Sequence, residues 1–135
     1  MKREENHAVE NARVWVETIS ELVAVLESEE FPVKVEGEEY ADVDAVRERI
    51  QESPLSVQVR SGWAEPGAEM IAEEFEILLS TGGPALRILG ELDEHKQPHR
   101  AWLEYQDCGT PWTHHYVKDF SDTLLTFCRQ FYFGE

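Results

Sequence analysis

Four side chains in the second half of the chain belong to the types used for metal binding or nucleophilic attack: Cys108, His114, His115 and Cys128. Structural zinc takes four such groups in a tetrahedron, usually from C-x-x-C pairs and from histidines a few residues apart. Here the thiols form no C-x-x-C pair, the histidines are adjacent, and adjacent side chains diverge on strands and helices alike. Cys128 also falls on an apolar helical face. The pattern therefore predicts a small buried cysteine and loop histidines, with no metal. Cys108 with His114 or His115 as base is the minimal arrangement for covalent catalysis, but the neighbouring carboxylate of Asp107 opposes thiolate formation. Ser80-Thr81-Gly82-Gly83-Pro84 lacks the G-x-x-x-x-G-K-[ST] pattern of a phosphate cradle and precedes a strand rather than a helix, so it reads as a turn. No H-E-x-x-H motif and no acid/base carboxylate pair occurs. The expectation is a protein that is not an enzyme, with no catalytic residue, metal or cofactor.

Charge is the stronger signal. Residues 1–76 hold 20 of the 28 carboxylates and 7 of the 12 lysines and arginines, a net of −13 within a total of −16. Between Glu27 and Asp44, the carboxylates of Glu27, Glu29, Glu30, Glu36, Glu38, Glu39, Asp42 and Asp44 face a single base, Lys34. A field of that sign repels nucleic acid and anionic membranes and attracts basic protein surfaces. The aromatic residues Trp63, Trp102, Tyr105, Trp112 and Tyr116 would suit stacking on bases, but such platforms need a positively charged groove, which this chain lacks. Packing is their expected role, with protein recognition through Trp112 as the second.

The elements that must position these groups are legible as periodicities. From Glu4 to Glu30, Val9, Ala12, Val16, Ile19, Val23 and Leu26 recur by threes and fours, with Trp15 and Leu22 widening the stripe, which predicts one long amphipathic helix. The same spacing would suit a helical dimer seam. Phe31 to Tyr40 reads as an edge strand or extended connector. Asp42 to Glu52 predicts a second helix with Asp42 as N-cap, Val43, Val46 and Ile50 inward and Pro54 as the stop. From Leu55 the period becomes two: Leu55, Val57 and Val59; then Phe75, Ile77 and Leu79 within Glu73 to Ser80; then Leu86, Ile88 and Gly90 within Ala85 to Leu92; then Arg100 to Gln106. Asp107 to Trp112 reads as a loop. A last helix is expected from about Asp119 through Phe131, its apolar face built from Phe120, Leu124, Phe127, Cys128 and Phe131. The fold class expected is α+β, an antiparallel four-stranded meander covered by the N-terminal and C-terminal helices.

A length of 135 residues fits one domain, with an acidic helical part over 1–54 and the sheet plus last helix over 55–135. The charged start and the lack of a long apolar run predict a cytoplasmic protein with reduced thiols.

Val57-Gln58-Val59-Arg60-Ser61-Gly62-Trp63, Leu78-Leu79-Ser80-Thr81-Gly82-Gly83-Pro84, Leu103-Glu104-Tyr105-Gln106-Asp107 with Gly109-Thr110-Pro111-Trp112, and Phe131-Tyr132-Phe133-Gly134-Glu135 together resemble a small family of uncharacterised acidic proteins carried by phages and integrative elements of bacteria. Cys108 stands where that family's pattern has a tryptophan, so the thiol is not a shared group. As a class, small acidic proteins of mobile elements resemble anti-restriction and anti-CRISPR inhibitors, several of which mimic the charge of DNA. The resemblance implies a non-enzymatic inhibitor whose acidic segment, with Trp112 as anchor, engages the basic channel of a host nucleic-acid-binding complex, without touching nucleic acid or membrane itself. The other expectation is a small structural or regulatory protein of a mobile element that forms a homodimer through its first helix.

Overall fold

The computed structural model describes residues 2–28, 30–35, 37–82, 84–107 and 109–134, with side chains from His7 onward. Among them the element order is α1 (Lys2–Glu27), β1 (Val33–Val35), β2 (Glu38–Tyr40), α2 (Val43–Glu52), β3 (Ser56–Ser61), β4 (Ala72–Ser80), β5 (Ala85–Leu92), β6 (Pro98–Gln106), β7 (Thr113–His115) and α3 (Ser121–Cys128). β1 and β2 form a separate two-stranded sheet, and β3 to β7 form a five-stranded antiparallel sheet in chain order.

This overturns the four-stranded meander covered only by terminal helices. Among the described residues there are three helices, and two sheets of two and five strands replace the single one. The missed strand β7, and the pairing of β1 with β2 inside the segment read as an edge strand or extended connector, are too short for periodicity to declare them. β7 is three polar residues held by pairing of Thr113, His114 and His115 with Tyr105, Glu104 and Leu103. β1 and β2 are also three residues each, joined by Val33 opposite Tyr40 and Val35 opposite Glu38. Pairing with a partner strand, which no local pattern reveals, makes these segments extended.

The helices follow their stripes. On α1 the buried residues are Ala8, Ala12, Ile19, Leu22, Val23 and Val25, with Trp15, Val16 and Leu26 packed partly against them. Asp42 caps α2 by accepting the Ala45 amide at 3.0 Å, and Val46 and Ile50 point inward. α2 packs on α1 and on β2 rather than on the five-stranded sheet. α3 lies on β6 and buries Leu124, Phe127 and Cys128, while α1 packs against α3, β5 and β6. Asp93 makes the β5–β6 turn by accepting the amides of His95 at 2.8 Å and Gln97 at 3.0 Å. Those two bonds hold its carboxyl below the usual carboxylate range.

Strand registers align the sheet into rows. Val57, Ile77, Ile88, Leu103 and His115 make one row, and Val59, Phe75, Gly90 and Ala101 the next. Both belong to the face under the helices. At Gly90 a side chain has no room: an added Cβ would overlap the Phe75 ring and the Arg100 carbonyl. Phe75 in turn stacks against Phe133 with centroids 4.7 Å apart. Gly90→Ala should therefore force Phe75 from its site and destabilise the fold by about 1–3 kcal/mol. Urea unfolding should show this as a lower midpoint at unchanged slope.

Candidate functional site

Among the described residues, the groups singled out for chemistry do not come together. Cys108 lies outside the described residues. Cys128 is completely buried on the apolar face of α3, and desolvation pushes its thiol far above the usual range, so the sulfur is closed to substrate and solvent. His114 and His115 are neighbours on β7 and point to opposite faces of the sheet. His115 meets the ring of Tyr105 edge-on at a centroid distance of 5.9 Å. Burial, then the positive charge of Arg13 and then His114, hold its pKa below the ordinary 6.5. Among the described residues no group of three His, Cys, Asp or Glu side chains is placed to hold a metal ion.

The acidic residues occupy one end of the molecule, formed by the close of α1, the β1–β2 hairpin and the start of α2. Glu27, Glu30, Glu38, Glu39, Asp42 and Asp44 are all exposed there, whereas Glu29 and Glu36 lie outside the described residues. Three of the six have internal roles. Asp42 is the cap of α2, Asp44 pairs with Arg47 at 3.6 Å, and Glu38 accepts the Tyr40 hydroxyl at 3.2 Å. Burial, then the Glu38 charge and hydrogen bond, raise the Tyr40 phenol above its ordinary value. Among the described residues the side chains of Glu27, Glu30 and Glu39 make no ion pair or hydrogen bond, nor do those of Glu17 and Glu21 on the exposed flank of α1.

Trp112 is not part of this surface. Its ring lies on the Arg87 guanidinium, 4.0 Å from the ring centroid, on the face of the large sheet opposite the helices. Around that cation is a cluster that sequence reasoning missed. Arg87 donates to Glu104 Oε1 through Nη2 at 2.7 Å and Nε at 3.1 Å, and to Glu76 Oε2 through Nη1 at 2.9 Å. Glu104 Oε2 in turn accepts the Trp102 indole N–H at 3.1 Å. The cross-strand pairs Arg60–Glu74 and Arg100–Glu91 continue the ladder, the latter at 3.2 Å, and Arg100 lies over the Trp102 ring at 5.0 Å. Gln58, Arg60, Glu74, Glu76, Arg87, Leu89 and Trp102 border a shallow depression of about 280 Å³ on this face. The one signal in the sequence was alternation itself, because Glu74, Glu76, Arg87, Glu91, Arg100 and Glu104 all fall on the polar phase of strands whose other phase is apolar.

No protein-family profile matches the chain, and neither a curated protein nor a solved structure is significantly similar to it. What the geometry offers is thus two surfaces of different electrostatic kind. On the sheet, Arg60, Arg87 and Arg100 each have a carboxylate partner and offset most of the charge of Glu74, Glu76, Glu91 and Glu104. At the helical end, carboxylates face solvent with few cations, a surface suited to meeting positive charge from outside.

Two consequences can be measured. Arg87, Glu76 and Glu104 are mostly buried, at 21, 26 and 19 % side-chain exposure, so removing the cation alone strands two carboxylates. Arg87→Met should cost about 2–4 kcal/mol by urea unfolding, and adding Glu76→Gln and Glu104→Gln should recover more than half of it. For His115 the folded state disfavours the proton that the unfolded state accepts. Its contribution to stability is therefore intact above pH 6.5 and is lost as the pH falls below that value. An NMR titration of His115 should give a midpoint under 6.5, and Arg13→Gln should move it upward.

Proposed function

We propose that this chain is a non-enzymatic inhibitor of a bacterial nucleic-acid-targeting defence complex, of the anti-restriction or anti-CRISPR kind, acting in the cytoplasm of the host cell. One observation carries this reading: the carboxylates divide into a set paired with arginines on the open sheet face and a set at the helical end in which Glu27, Glu30 and Glu39 have no cation partner among the described residues. Mere solubility does not require that division, since paired charges solvate a surface as well. A binder of basic protein needs the second set unpaired, because internal cations would cancel the field that draws the partner in.

Duplex DNA presents about one phosphate charge per 1.7 Å of axis. A protein that occupies a channel built for it must hold carboxylates on structured elements at comparable density. The end of α1, the hairpin and the start of α2 supply such elements, and the Asp42 cap and the core residues Tyr40, Val46 and Ile50 keep them in place. Complementary charge mainly speeds encounter and selects the partner. Trp112 lies with Arg87 on the open face of the sheet. The resemblance to acidic proteins of phages and integrative elements supports the same reading. Among the described residues no helix is long and apolar enough to cross a membrane.

The test is inhibition of DNA cleavage by a purified restriction or RNA-guided complex that the protein captures and that nucleic acid displaces. Replacing Glu27, Glu30, Glu38 and Glu39 with glutamine should weaken inhibition at least tenfold and flatten its salt dependence. Undiminished inhibition by that quadruple variant would sink the mimicry reading.

A further inference from the structure

The core face of the large sheet is not covered from edge to edge. α1 and α3 lie over β5 and β6, and the valines that β3 contributes to that face remain open, Val57 at 36 % and Val59 at 45 % exposure. Leu55 before them and Trp63, Met70 and Ile71 in the following connection are also exposed. β3 is the end strand of the sheet and, among the described residues, pairs only with β4. The Leu55 amide donates inward to the Leu78 carbonyl. By alternation the amides of Val57 and Val59 also point toward β4, and those of Ser56, Gln58 and Arg60 point out of the sheet. Natural proteins usually blunt such an edge with charge or proline. Here the one charged residue, Arg60, is already taken by Glu74.

We infer that β3 is a self-association edge, where a second copy of this chain adds its own β3 antiparallel and continues the sheet across a two-fold axis at Gln58. The strand reads the same in both directions about that residue: polar, valine, polar, valine, polar from Ser56 to Arg60. A closed two-fold contact requires such self-complementarity. With Gln58 opposite its symmetry mate, Ser56 faces Arg60 of the other copy in outward, hydrogen-bonding positions. Val57 then faces Val59 of the other copy in the non-bonded positions, where side chains approach most closely. An axis perpendicular to the sheet keeps both helical layers on one side, and the uncovered span over β3 leaves room for them.

Charge selects the occupant. From Ser53 to Ala64 there is no carboxylate and one base. In a chain of net charge −16, this edge can meet another copy with little repulsion, and the acidic helical end cannot. The first-helix seam offers no alternative, because its apolar stripe is used in the core. This inference does not depend on the acidic-surface reading, since the two surfaces share no residue.

Sedimentation velocity over a wide concentration range at physiological salt should show a reversible monomer–dimer equilibrium. Gln58→Pro, which removes an outward amide and tolerates the extended edge geometry, should give a monomer. Val59→Lys should do the same, while Val14→Lys, on the exposed flank of α1, should leave the dimer unchanged. Hydrogen exchange on the unaltered chain should show the Ser56, Gln58 and Arg60 amides protected only at high concentration, and those of Val57 and Val59 protected throughout. A wild-type chain that stays monomeric at every concentration would overturn the inference. So would a dimer that survives both edge substitutions, or one whose formation leaves the Gln58 amide exchanging freely.

Discussion

Burial of Ile77, Ile88 and Leu103 beneath α1 and α3 is the interaction on which the other features of this protein depend. Side chains on a strand alternate between faces, so anchoring this row to the helices leaves no choice about its neighbours. Glu76, Arg87 and Glu104 must then stand on the opposite face, where no helix covers them. Their mutual pairing makes that arrangement tolerable. A mostly buried guanidinium shared between two carboxylates and capped by the Trp112 ring satisfies the donors and acceptors that the alternation forces together. A slip of one residue in any of these strands would place charge under the helices and aliphatic side chains in water.

The same anchoring explains the two edges of the sheet. β7 is short and polar, and Trp112 just before it folds over the open face toward Arg87. β3 lies beyond the reach of the helices, so its valines keep the alternation of a buried strand without a cover. Charge follows a parallel division. On the sheet Arg60, Arg87 and Arg100 each pair with glutamates and offset most of their charge, whereas α1, the hairpin and α2 supply carboxylates with few bases nearby. The molecule thereby presents an apolar edge that is free of carboxylates and an acidic end where carboxylates outnumber cations.

Much of the local structure could be read directly. Phe75, Ile77 and Leu79, and then Leu86, Ile88 and Gly90, show their period in the chain and have the faces that period implies. Asp42 and Pro54 bracket α2 because a cap and a breaker act through bonds to residues a few positions away. The failures have one origin. Thr113-His114-His115 carries no periodicity, and pairing with β6 alone makes it a strand. Val57 and Val59 have the right alternation, but whether a helix lies above them is settled by the lengths and crossing of α1 and α3. Trp112 is prominent in sequence, yet its partner Arg87 sits two strands away.

By itself the sequence determined the helical and strand periods, the caps and stops that bound α2, and the excess of carboxylates in the first half. Each of these is a matter of nearest neighbours along the chain or of counting. Tertiary structure alone decided which carboxylates meet arginines, that Cys128 is sealed in the core while His114 and His115 part to opposite faces, and that β3 is left open. Those outcomes depend on contacts between residues far apart in the chain, which exist only once strand order and register have been chosen by burial of the common core.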